Sequence, residues 1–151
     1  MDGNRRWALE RGLSPFLGHR AGGETLKKVV DWINDLGIRH AIFYTFSSEN
    51  WKRPEREVSY LLNLIGEFLK REFEYFNKKG IVIHCAGDLS RFSAGLQKRL
   101  RESEEKTRDN PGAHIYFALN YGGRQEILSA VKNIVMKNPP PDSITEEYFS
   151  K

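Results

Sequence analysis

Residues 41–54, Ala41-Ile42-Phe43-Tyr44-Thr45-Phe46-Ser47-Ser48-Glu49-Asn50-Trp51-Lys52-Arg53-Pro54, decide the fold. The first six are aromatic or β-branched apart from Ala41, and read as a short strand. Polar residues then take over as far as Arg53. Pro54 has the fixed φ that suits the first turn of a helix, and that helix is expected to run to Lys79. Its apolar residues Val58, Leu61, Leu62, Ile65, Phe68, Leu69, Phe73 and Phe76 fall on one stripe. A strand that leaves through a polar loop into a long helix is the front half of a parallel βαβ unit.

The same alternation continues on both sides. Toward the N-terminus, Leu26, Val29, Val30, Ile33 and Leu36 give a helix over Gly23 to Leu36 that stops at Gly37. Toward the C-terminus, Gly80 ends the long helix and Ile81 to Ala86 is a second strand. Leu89 to Arg108 reads as an amphipathic helix whose charged run, Lys98 to Asp109, is a solvated face. Asn110-Pro111-Gly112 marks a turn, His114 to Asn120 a third strand and Arg124 to Lys137 a further helix. Pro139-Pro140-Pro141 breaks the chain, and Ser143 to Glu147 begins one more helix. The class is therefore α/β, a parallel-sheet core flanked by helices. In such sheets ligands bind beyond the carboxyl ends of the strands. The polar clusters fall there: Ser47 to Arg53, Gly87 to Arg91 and Asn120 to Arg124.

With 151 residues, 39% hydrophobic and 29% charged, the chain is expected to be one domain with an ordinary globular core. The net charge of +4 comes from 24 basic and 20 acidic residues that are interspersed, so no nucleic-acid footprint is read from it. A single cysteine, Cys85, excludes a disulfide framework and reads as a buried, inert thiol in a reducing compartment. No apolar run reaches the roughly 20 residues of a membrane span, so a cytoplasmic location is expected.

Met1-Asp2-Gly3-Asn4-Arg5-Arg6-Trp7-Ala8 carries the sharpest chemistry. Asp-Gly-Asn favours a tight turn, a helical pattern follows, and two guanidinium forks sit beside it. This is equipment for a diphosphate, with Asp2 placed to recruit a divalent cation. The plainer reading of Asp2 is a turn or capping aspartate. Arg5 reads as solvent-facing. Trp51 before Pro54 fits either a staple at the helix entry or a pocket wall. Glu49 reads equally as a cap, a metal-adjacent acid or a surface charge. Arg91 and Arg124 fit capping or pairing with helix carboxylates such as Glu126.

Taken together, five stretches resemble the cis-prenyltransferase family, of the undecaprenyl diphosphate synthase type. They are Met1 to Ala8, Gly18-His19-Arg20-Ala21-Gly22, Phe46 to Pro54, Gly87-Asp88-Leu89-Ser90-Arg91-Phe92 and Asn120-Tyr121-Gly122-Gly123-Arg124. The resemblance implies that fold with an apolar tunnel, and a transferase that condenses isopentenyl diphosphate onto farnesyl diphosphate. The implied product is a cis-polyprenyl diphosphate, the carrier lipid of cell wall biogenesis. Mg2+ as cofactor, a homodimer and peripheral membrane contact through the lipid product are implied with it. Asp2 then resembles the metal-linked catalytic aspartate and Asn50 a second catalytic residue. Gly3, Asn4, Arg6, Trp7 and His19 resemble the allylic diphosphate cradle. Ser47, Ser48, Glu49, Trp51 and Arg53 resemble the loop that arranges the substrates.

The sequence also departs from the family pattern. Pro15 and Phe16 occupy the neighbourhood of an arginine often found before the Gly-His pair. The strand expected before Met1 and the block that grips isopentenyl diphosphate, with a further magnesium-binding acid, lie outside residues 1–151. The domain is therefore read as a truncated one. A different class of function follows from that: a catalytically silent subunit that binds a lipid diphosphate or acts as a scaffold.

Overall fold

A computed structural model describes residues 2–149. Met1 of the N-terminal motif and the last two residues of the domain read over 1–151 lie outside it. The elements are α1 (Asn4–Leu9), α2 (Pro15–Asp35), β1 (His40–Ser47), α3 (Glu55–Lys78), β2 (Val82–Ala86), α4 (Ala94–Thr107), β3 (His114–Tyr121), α5 (Gly123–Lys137) and α6 (Glu146–Phe149). The three strands form one parallel sheet in the order β1-β3-β2.

Period-two alternation sets the two faces of the sheet, and a register shift between Tyr44 and Phe46 turns Phe46 to the face opposite Ile42 and Tyr44. Ile115, Phe117 and Leu119 of β3, Ile83 of β2 and Phe46 of β1 point into the core with Val30 of α2, Leu69 and Phe76 of α3 and Leu100 of α4. Burying each large aliphatic side chain contributes about 1.5–3 kcal/mol, so this layer dominates the stability of the domain. The other face is open: Ile42 and Tyr44 are exposed, as are Ile127, Leu128, Val131 and Met136 of α5.

Three boundaries differ from the sequence reading. α2 begins at Pro15 rather than Gly23. Gly18, Gly22 and Gly23 weaken the propensity of that stretch, but tertiary packing of α1 on it overrides the cost. The helix read over Leu89 to Arg108 is a 3₁₀ turn, Leu89–Arg91, followed by α4. Ser93 causes the break, since its hydroxyl accepts the Leu96 N–H at 3.3 Å and caps α4. The helix read from Ser143 is a 3₁₀ turn, Pro141–Ser143, and the four residues of α6. Gly80, at φ 72°, terminates α3 as expected.

Cys85 is half-buried rather than fully buried. Desolvation, with Glu104 adding to it, pushes its thiol up to about 12, so the inert reading stands.

A ladder of rings occupies the open face. His84 Nε2 lies 2.9 Å from His114 Nδ1, and the His84 ring stacks on Tyr116 with centroids 4.4 Å apart. Burial first, then the neighbouring His114, hold His84 below its ordinary value of 6.5, with Glu104 opposing. A histidine depressed in the fold contributes fully above its unfolded value and loses that contribution as the pH falls through the folded one. Melting at about pH 7.5 is therefore expected to occur a few degrees higher than at about pH 5.5, and His84→Gln to narrow the gap. Melting temperatures that are flat or rising on acidification contradict this.

Candidate active site

The N-terminal turn is made by Gly3, which sits in the left-handed region at φ 83°. Its N–H donates to Asp2 Oδ1 at 2.6 Å, and Asp2 Oδ2 lies 3.6 Å from Arg6 Nη2. Both side chains of that pair are largely exposed, so the pair itself adds little stability. It remains free to exchange partners.

α1 is docked on α2 by close packing. A Cβ on Gly18 would overlap the carbonyl oxygen of Asn4 and lie 2.9 Å from Ala8 Cβ, and one on Gly22 would lie 2.6 Å from Asn4 Oδ1. Ala8 is 0% exposed in this seam. The docking sets the motif of residues 2–6 beside His19, the neighbour of Gly18 on α2.

His19 is 9% exposed, and its Nε2 has no hydrogen-bond partner among the described residues. Burial is the main cause that holds its pKa below the ordinary value, against the opposing carboxylate of Glu57. Its imidazole is therefore mainly neutral at neutral pH and keeps a ring nitrogen for a ligand.

Glu57, in the first turn of α3, is the residue that the sequence reading missed. Its buried carboxylate accepts a hydrogen bond from Arg53 Nη1 at 3.0 Å and lies 3.6 Å from both Arg5 Nη1 and His19 Nε2. One anion thus gathers guanidinium groups from α1 and the β1 exit and the imidazole of α2. The only local signal was the spacing of Arg53 and Glu57, four apart across the helix start. Arg5 is exposed, as read, but its guanidinium reaches this cluster at the cavity rim.

A cavity of about 440 Å³ opens at the cluster. Asp2, Gly3, Asn4, Arg5, Arg6, His19, Asn50 and Arg53 form its polar lining. Leu26, Phe46, Leu61, Leu64, Ile65, Phe68, Phe117 and Leu119 form its apolar lining. The volume lies in the range of small-molecule sites, about 300–1,000 Å³.

Of the remaining candidates, Asn50 lines the cavity and the others do not. Trp7 is partly exposed beneath the Arg11 guanidinium, 4.6 Å from its ring centroid. Ser47 and Asn50 form a reciprocal cap on the 3₁₀ turn Ser48–Lys52, with Asn50 Oδ1 accepting the Ser47 N–H at 3.1 Å. Ser48 packs against Gly122, and Glu49 is exposed. Trp51 packs edge-on to Phe46 and donates its indole N–H to Asn120 Oδ1 at 2.8 Å. Arg91, read as a cap or carboxylate partner, instead lies over the Trp51 ring at 4.2 Å.

Among the described residues no group of three or more His, Cys, Asp or Glu is placed to hold a metal ion. Asp2 offers a single exposed carboxylate at the cavity mouth. That suits Mg2+, which is commonly held by one or two carboxylates together with substrate phosphates and water.

The Prenyltransf family model, described as "Putative undecaprenyl diphosphate synthase", matches residues 1–151. An isoprenyl transferase of Clostridium acetobutylicum is 47% identical over 150 residues, covering 99% of this chain and 58% of that protein. A ditrans,polycis-undecaprenyl-diphosphate synthase ((2E,6E)-farnesyl-diphosphate specific) of Shewanella oneidensis is 44% identical over 155 residues, covering 100% and 56%. The crystal structure of lavandulyl diphosphate synthase from Lavandula x intermedia, in complex with dimethylallyl diphosphate, superposes with a TM-score of 0.95. It is 30% identical and is matched over 99% of this chain and 66% of that one. The chain spans little more than half the length of the curated relatives it matches.

Proposed function

The chain belongs to the undecaprenyl diphosphate synthase family of prenyltransferases, and we propose that it condenses isopentenyl diphosphate with farnesyl diphosphate to make a cis-polyprenyl diphosphate. The observation that supports this most is the division of one cavity into a cationic mouth and an apolar depth. An allylic diphosphate has the same division.

Arg6, Arg53 and His19 hold the headgroup, the two guanidinium groups through paired N–H donors. Asn4 is kept at the mouth by its packing on Gly22. Leu26, Phe46, Ile65 and Phe68 exclude water from the prenyl chain. As the allylic C–O bond breaks, charge develops on the departing diphosphate, and donors already aimed at it stabilise that charge. The new bond joins the allylic carbon to the terminal alkene carbon of isopentenyl diphosphate, and a proton is then lost from C2 of the isopentenyl unit to solvent water, which leaves the new double bond between C2 and C3. Asn50, fixed by its cap with Ser47, is positioned to orient that second substrate. Mg2+, held by Asp2 and the diphosphate, supplies further neutralisation of the leaving group when bound.

No helix among the described residues is long and apolar enough to cross a membrane. The proposed setting is the cytoplasm, as a homodimer that meets the membrane through its lipid product.

The test is to incubate the purified chain with farnesyl diphosphate, labelled isopentenyl diphosphate and Mg2+, and to extract the lipid products. Long-chain product is expected, reduced about 10²- to 10³-fold by Asp2→Ala or Arg6→Ala. Farnesyl diphosphate binding without product would instead support a silent lipid-diphosphate-binding subunit. No diphosphate binding at all would overturn both.

A further inference from the structure

We propose that Asn120 is a positioning residue, which sets the substrate loop of residues 47–53 by holding the indole of Trp51. Asn120 ends the buried part of β3 and is 3% exposed. Its backbone lies in the left-handed region at φ 48°, which asparagine tolerates better than most residues. This turns the side-chain amide sideways, across the ends of the other two strands. Oδ1 accepts the Trp51 indole N–H at 2.8 Å, while Nδ2 donates to the carbonyl of Asp88 at 2.7 Å. One amide thus ties the exits of all three strands, with both of its polar atoms satisfied.

The consequence for the site runs through Trp51. The indole is fixed on its other sides by Phe46, Phe92 and the guanidinium of Arg91. Asn50 precedes it within the turn Ser48–Lys52 and Arg53 follows directly after that turn, and both line the cavity. The turn Ser48–Lys52 is tied to β1 by the Ser47–Asn50 cap and the Trp51–Phe46 contact, and to the β3 exit by the Asn120 amide and the contact of Ser48 with Gly122. A Cβ on Gly122 would lie 2.5 Å from Ser48 Oγ. Releasing the indole removes the hydrogen bond that ties this turn to β3 and loosens the placement of Asn50 and Arg53, although Asn120 itself does not line the cavity. The inference rests on the proposed diphosphate binding only for its ligand readout.

The test uses Asn120→Gly, because glycine keeps the left-handed backbone without strain and removes only the side chain. The Trp51 indole N–H resonance reads the tie without any ligand. It is expected to be protected from solvent exchange in the wild-type chain, and exposed in the variant. Farnesyl diphosphate affinity, measured well below the melting temperature, is expected to fall about tenfold, the scale of one lost hydrogen bond. Trp51→Phe is expected to lose a similar factor, and the double variant no more than either single one, because both remove one interaction.

A purely structural role would lower the melting temperature and leave the affinity of the folded variant unchanged, which would overturn the proposal. An unprotected wild-type indole N–H, or fully additive losses in the double variant, would also overturn it. If Asn120→Gly fails to fold, Trp51→Phe binding farnesyl diphosphate as tightly as wild type would do the same. A wild-type chain that binds no farnesyl diphosphate, with the indole still protected and released in Asn120→Gly, would defeat the functional reading and leave the tie standing.

Discussion

Gly18→Ala is expected to weaken farnesyl diphosphate binding by more than about a hundredfold while the three-stranded sheet stays folded. The added methyl has no room, because it meets the backbone carbonyl of Asn4 and, at 2.9 Å, the Cβ of Ala8. Neither is the far end of a flexible side chain, so the two helices must separate. Forcing a methyl into a filled site typically costs about 1–3 kcal/mol. α1 buries only Ala8, so undocking this six-residue helix is the cheaper response. Asp2, Asn4, Arg5 and Arg6 would then leave the cavity mouth together. Isothermal titration with farnesyl diphosphate, alongside near- and far-ultraviolet circular dichroism, checks both halves of this expectation. Gly22→Ala is expected to do less, since its methyl meets the Asn4 side chain, which can rotate away. Wild-type affinity in Gly18→Ala would show that docking of α1 does not build the site.

Arg53→Ala is the second large effect. Arg53 donates to Glu57 at 3.0 Å and lines the cavity. Its removal takes a preorganised cation from the headgroup region and leaves Glu57 with more distant partners, at 3.6 Å. The loss in turnover is expected to be about 10²- to 10³-fold, the usual scale for one such donor. Arg53→Lys is expected to recover only part of it, because an ammonium cannot present the same two-pronged geometry. Steady-state kinetics with each variant, beside its melting temperature, separates this from unfolding. Equal turnover in Arg53→Ala and wild type would remove Arg53 from the proposed machinery.

Much of the architecture was legible because local and tertiary preferences agree. Ala41 to Phe46 is strand-forming and its end, Thr45 and Phe46, lines the cavity, so its reading needed only slight extension to β1. The stripe from Val58 to Phe76 marked α3 to within a residue at each end. Where the two kinds of preference conflict, the reading failed. Gly18 and Gly22 look like helix breakers, yet α2 keeps them because α1 approaches too closely for any side chain. Ser93 looked like one more polar position in a long helix, but its hydroxyl starts a new one.

The site was legible in its short motifs and hidden in its long-range pairings. Asp2, Asn4, Arg6, His19, Asn50 and Arg53 converge on one cavity from three segments, as their chemistry suggested. The strand exit at Asn120 and the four-residue spacing of Arg53 and Glu57 were visible, but the roles of Glu57 and Asn120 were not, since each is defined by partners brought to it by the fold. Arg5 is an exposed residue that also lines the cavity, and that second part was hidden for the same reason: its partner, Glu57, lies on another helix. Trp51 is turned toward Asn120 and Phe46 by contacts that no spacing encodes.

The most direct measurement is a crystal structure of the chain with Mg2+ and farnesyl thiodiphosphate, a slowly reacting analogue. The headgroup is expected among Arg6, His19 and Arg53, with the metal on Asp2 and the prenyl chain running past Phe46, Ile65 and Phe68. A headgroup bound away from those residues, or a prenyl chain lying outside the cavity, would contradict the account.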